Sequence, residues 1–187
     1  MERELRDGTP AEIRAGDNEI AVSGYAAIFN ERANIGGWYE EIIERGAFTN
    51  AIKNDDVVFL INHEGLPLAR TRSGTLILSE DDHGLLMKSD LDGADPDVAS
   101  IVPKMVRGDL DKMSFAFLPT VQEWDESGDI PLRTIKEAQL FDVSIVTSPA
   151  YDGTDIGLRS FEAQRKPTHT RRLLEMKSRL IGIKNGS

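Results

Sequence analysis

Asp111–Phe117, DKMSFAF, is the stretch around which the rest of the chain is read. Its alternation and its two phenylalanines favour a strand, on which neighbouring side chains point to opposite faces. Ser114 then shares a face with Lys112 and Ala116, while Met113, Phe115 and Phe117 share the other. Small residues beside a hydroxyl leave room for a substrate. A strand serine on its own, however, more often only satisfies its own hydrogen bonds, so the reading turns on what else the chain supplies.

The chain has 187 residues, 40% of them hydrophobic, enough for one well-buried body with tails. Residues 1–18 are polar and without a sustained period, which predicts a flexible arm. The body is expected over residues 19–158, and residues 159–187 form a basic tail with helix-forming residues from Ser160 to Ile183. The net charge of −10 argues against a general nucleic-acid binder. It is unevenly placed: from Arg159 onward eight Lys or Arg face two Glu, so the tail carries +6 and the rest −16. The absence of cysteine excludes disulfides, thiol nucleophiles and cysteine-ligated zinc. No run of eighteen apolar residues and no charged-then-apolar leader is present, so a cytosolic protein without a membrane role is expected.

Within the body, Glu19–Phe29 alternates around a glycine, which suits a bent or bulged strand, and Trp38–Ile43 reads as another. A short helix is expected to start at GAFTN, Gly46–Asn50. Asp55–Asn62, DDVVFLIN, is a continuous apolar run typical of a strand buried on both faces, and it delivers His63 at its mouth. Thr75–Ser79 and Leu85–Leu91 read as a hairpin with His83 in its acidic turn. Asp90, Asp92, Asp95 and Asp97 lack the spacing of a calcium loop, and Asp95-Pro96 reads better as the cap and first residue of a helix over Pro96–Arg107 that Pro103 would bend or shorten. Strands over Lys112–Leu118, Thr120–Asp125, Leu132–Glu137 and Leu140–Thr147 follow. The last contains Asp142, an acid in an apolar strand that needs a partner or a place at an edge.

His63, Ser114 and Asp142 are the raw material for acyl transfer: a hydroxyl to attack a carbonyl, an imidazole to take its proton, and a carboxylate to orient the imidazole. Each also has a plainer role, as a loop histidine, a strand serine and a structural ion pair. The order His, Ser, acid differs from chymotrypsin, subtilisin and the α/β-hydrolases, and no G-x-S-x-G elbow is present.

The whole arrangement resembles the prohead proteases of tailed bacteriophages, grouped with the herpesvirus assemblins as capsid-maturation serine proteases. The resemblance rests on GYAAIFN at Gly24–Asn30, GAFTNAI at Gly46–Ile52, FLINHEG at Phe59–Gly65, KMSFAF at Lys112–Phe117 and LFDVSIVTSPAY at Leu140–Tyr151. It implies a mainly β fold with flanking helices, a closed antiparallel β-barrel of the assemblin type. It places the catalytic histidine on His63, the nucleophile on Ser114 and the third member on Asp142, with Glu137 as the fallback, since Glu is common in the family where this chain has Asp. Oxyanion donors would come from the backbone of Ser148–Tyr151. The implied partners are the major capsid protein with its scaffolding segment, and the chain itself through autocleavage. A homodimer would follow the herpesvirus pattern. No cofactor, metal, membrane or direct nucleic-acid role is implied, and the site of action would be the assembling procapsid in the host cytoplasm. The basic tail is expected to dock on an acidic scaffold or capsid segment and to be removed later. The competing expectations are a non-catalytic assembly protein on the same fold and an unrelated small β-barrel binding module. A metallohydrolase is poorly supported, because His63, His83 and His169 show no ligand spacing.

Overall fold

The computed structural model describes residues 3–15 and 19–147. It is mainly β, with strands β1 (Glu4–Pro10), β2 (Glu12–Ala15), β3 (Glu19–Ile28), β4 (Ala33–Ile35) and β5 (Tyr39–Ile43), helix α1 (Thr49–Asn54), strands β6 (Val58–Ile61), β7 (Glu64–Arg70), β8 (Leu76–Glu80) and β9 (Gly84–Asp92), helix α2 (Pro96–Val106), and the long strands β10 (Lys112–Asp125) and β11 (Leu132–Val146). No helix among the described residues is long and apolar enough to cross a membrane.

The expected closed antiparallel barrel is not what forms. The strands make two sheets, one of seven strands in the order β1-β10-β11-β5-β4 with β6 and β7 branching from β11, and one of four in the order β2-β3-β9-β8. The larger sheet is mixed, because β11 pairs antiparallel with β10 along one edge and parallel with both β5 and β6 along the other. Closure fails at identifiable seams. Where β1 passes β3, the Thr9 hydroxyl takes the place of a backbone ladder, accepting from the Tyr25 amide at 3.2 Å. Gly8 lies so close to β3 that a Cβ there would stand 2.1 Å from the Tyr25 carbonyl oxygen. Just past the end of β3 the Asn30 amide donates to the Ile43 carbonyl of β5 at 2.9 Å, bridging the two sheets. Such isolated bonds satisfy individual groups without continuing the sheet.

The two sheets share one apolar core. Met113, Phe115, Phe117, Val143 and Ile145 of the larger sheet are buried with Val22, Leu85, Met87 and Leu91 of the smaller, and Val98, Ile101 and Met105 of α2 join them. Phe115 meets the Phe48 ring edge-on at 5.6 Å, an arrangement that ring quadrupoles favour. Helix α2 begins as its residues dictate, with Asp95 accepting from the Asp97 amide at 2.8 Å and Pro96 in the first turn. It continues through Pro103 to Val106 rather than ending there. β1 and β2 lie within residues 1–18, where composition alone predicted an arm. The basic tail from residue 159 lies outside the described residues.

β1 is fastened by a buried ionic network. The Arg133 guanidinium grips Glu4 through two bonds of 2.8 and 2.9 Å and reaches Glu41 at 3.0 Å. Arg6 binds Glu41 at 2.6 Å and Glu4 at 2.7 Å. Two guanidiniums and two carboxylates balance, which makes their burial tolerable. Glu4 and Arg6 share one face of β1, so Leu5 and Asp7 fall on the other, the face of Ser114.

Candidate active site

The turn after β6 sets the histidine. Ile61 pairs with Glu64, leaving Asn62 and His63 as a two-residue hairpin loop. Both have positive φ, 51° and 62°, the signature of the tight turn whose twist matches the flanking strands. Asn62 suits that conformation, and its side-chain oxygen accepts from the Thr147 amide at 3.1 Å, while its own amide donates to the Ile145 carbonyl at 3.0 Å. His63 is less at ease at positive φ, so the surrounding bonds must hold it. They aim the ring across the end of β11.

Register supplies the other members. Across β10 and β11, Ser114 pairs with Ser144 and Ala116 with Asp142, and cross-strand partners share a face. Ser114, Asp142 and Ser144 therefore stand together, opposite the apolar face that carries Phe115, Phe117 and Val143. His63 closes the group: its Nδ1 lies 2.7 Å from Asp142 Oδ1 and its Nε2 2.8 Å from Ser114 Oγ. A carboxylate only accepts, so Nδ1 carries the proton and Nε2 offers its lone pair to the serine.

Three more groups complete the arrangement. The Ser144 hydroxyl donates to Asp142 Oδ1 at 2.8 Å, and the carbonyl of Arg6 lies 2.8 Å from Ser114 Oγ. One hydroxyl proton thus has two acceptors, and it must point to His63 before proton transfer. The Arg3 guanidinium pairs with Asp142 Oδ2. Ser114 and Asp142 are buried, whereas the His63 side chain keeps 11% exposure. Burial, with the Arg3 charge as a second cause, lowers the His63 pKa to about 4. The imidazole is therefore a neutral base at pH 7.

The structure brings His63, Ser114 and Asp142 together. Glu137 lies elsewhere, accepting from the Asn50 side chain at 3.1 Å. His83 packs edge-on against Tyr25 at 4.5 Å, and its amide bonds Asp81. His169 and the expected oxyanion donors of Ser148–Tyr151 lie outside the described residues. Among the described residues no group of three His, Asp or Glu is placed to hold a metal. A cavity of about 530 Å³ flanks β1, lined by residues 5–10 and 31–36, and includes none of the three. Reading the sequence missed Ser144, although its position two residues after Asp142 on one strand already puts both on one face. It also missed Arg3 and the Arg6 carbonyl, for which no local pattern exists.

Comparison with known proteins adds independent findings. The family model described as caudovirus prohead serine protease matches residues 9–167. The prohead protease of Enterobacteria phage HK97 is 32% identical over 148 residues, covering 75% of this chain and 61% of that relative. The chain thus spans about three fifths of the length of the relative it matches. No solved structure matches.

Proposed function

The chain belongs to the caudovirus prohead serine protease family, and from that premise we propose that it is the maturation protease of a phage prohead, with Ser114 as nucleophile, His63 as general base and Asp142 orienting the imidazole. The observation that carries this reading is the unbroken chain Asp142–His63–Ser114, with contacts of 2.7 and 2.8 Å. As Ser114 attacks a peptide carbonyl, its proton passes to His63 Nε2, and Asp142 stabilises the imidazolium that forms. The same proton then goes to the departing amine, and water repeats the sequence on the acyl-enzyme. A placed base of this kind contributes about 10² to 10⁴ in rate.

The proposed substrates are the scaffolding segment of the major capsid protein and the chain itself, both inside the assembling procapsid. Confinement raises the local concentration of cleavage sites, so a slow enzyme suffices there. The test is intact mass after incubation of wild type and Ser114→Ala with the capsid protein. Discrete truncation in the wild type alone is expected, and identical cleavage in both proteins removes Ser114 as nucleophile. A non-catalytic assembly role is the second reading, favoured by one observation: Ser114 is buried with the Arg6 carbonyl against its hydroxyl. Capsids that mature with Ser114→Ala would decide for it.

A further inference from the structure

Asp142 has two oxygens with different obligations. Oδ1 takes the His63 Nδ1 proton and the Ser144 hydroxyl. Among the described residues Oδ2 accepts no hydrogen bond and has the Arg3 guanidinium as its ionic partner. The carboxylate is 1% exposed, and a buried carboxylate oxygen without compensation is costly. Arg3 does not reach it by chance. The ionic network through Glu4 and Arg6 holds β1 in register on β10, Arg3 directly precedes that strand, and its guanidinium also rests 5.5 Å from the centre of the Phe141 ring.

We propose that Arg3 is a positioning residue of the active site, fixing Asp142 through Oδ2 so that Oδ1 is aimed at His63. Its charge has a second effect. It offsets the carboxylate that would otherwise favour the imidazolium, and so helps keep the resting imidazole neutral, in line with the downward push it exerts on His63. The groups facing the imidazole are Asp142 and Ser144 from β11, Ser114 from β10, Arg3 from the segment before β1, and Asp7 on β1 opposite Ser114, with Glu64 next to it in the hairpin. Among the described residues Arg3 is the cation that pairs with Asp142, and Lys112 lies on the same face of β10 two residues before Ser114.

The kinetic part rests on the protease reading, so the test has two separate arms. NMR titration of His63 needs no activity. In Arg3→Gln its midpoint is expected to rise by about one unit or more, because an uncompensated carboxylate then favours the charged ring. Labelling of Ser114 by a fluorophosphonate reads the reactive geometry. In Arg3→Gln the rate is expected to fall roughly tenfold to a hundredfold, with its acid limb displaced upward. Arg3→Lys should keep the His63 midpoint and recover most of the labelling. In an Asp142→Asn background, where Arg3 has no carboxylate to aim, adding Arg3→Gln should leave the labelling rate unchanged, while the His63 midpoint still rises by the part that Arg3 exerts on the ring directly. A His63 midpoint unmoved in Arg3→Gln, or an equal further loss in the Asp142→Asn background, overturns the proposal. Absence of labelling in the wild type, together with the expected His63 shift, would sink the protease reading and leave Arg3 as the partner of Asp142.

Discussion

His63 is held by contacts from three directions, and their balance sets its chemistry. Burial and the Arg3 charge lower its pKa to about 4 from an ordinary value of 6.5. The acid limb of kcat/KM on a peptide substrate is accordingly expected near pH 4; a limb near 6.5 would show an imidazole open to water. The same shift acts on stability. Between pH 6.5 and about 4 the unfolded chain binds a proton at this residue that the folded chain refuses. The stability contributed by the neutral ring is complete above that window and is lost as pH falls through it. Urea unfolding at pH 7 and pH 4.5 should show a larger decline for wild type than for His63→Gln. The sequence could expose this histidine at a strand mouth, but its environment depends on Arg3, sixty residues earlier.

On the scale of one element, β10 divides its work between its two faces. Phe115 is buried in the core against Phe48 and Phe117, while its neighbour Ser114 bonds His63 and the Arg6 carbonyl. Phe115→Ala should therefore cost about 3 to 5 kcal/mol of stability. Ser114→Ala should abolish serine-directed labelling while changing the urea midpoint little, and a fall as large as that of Phe115→Ala would mean that the hydroxyl serves the fold. This division was legible from the alternation of DKMSFAF. The neighbour relations were not: the same alternation fits an antiparallel partner on either edge, and nothing local says that β11 would carry two parallel partners on one edge.

At the scale of the molecule, the ionic network joins strands distant in sequence: β1 through Glu4 and Arg6, β5 through Glu41, and β11 through Arg133, which also bonds Gln122 of β10 at 2.6 Å. Arg133 is 1% exposed, so Arg133→Met leaves two buried carboxylates to share Arg6 and should cost about 3 to 5 kcal/mol. The exposed pair of Arg70 with Asp56 offers the control. Its geometry is as short, at 2.6 and 2.8 Å, yet Arg70→Met should lower the urea midpoint far less, since water competes for both charges. Equal losses in the two variants would show that burial does not set the strength of these pairs.

By itself the sequence determined the β class, the helix start at Asp95 and the polar and apolar faces of β10, because period, capping and burial of apolar side chains act over a few neighbours; it offered His63, Ser114 and Asp142 as candidates, and only folding brings them together. Its motifs also pointed to the phage protease family, which the family match bears out. Only the tertiary structure decided that the strands form two sheets instead of a closed barrel, since closure depends on whether edges such as β1 and β3 meet through backbone ladders or single side chains. It also decided that residues read as an arm supply β1, Arg3 and the Arg6 carbonyl to the site. A polar strand whose buried charges are compensated from β5 and β11 shows no apolar period of its own, so its order comes from partners brought near only by folding.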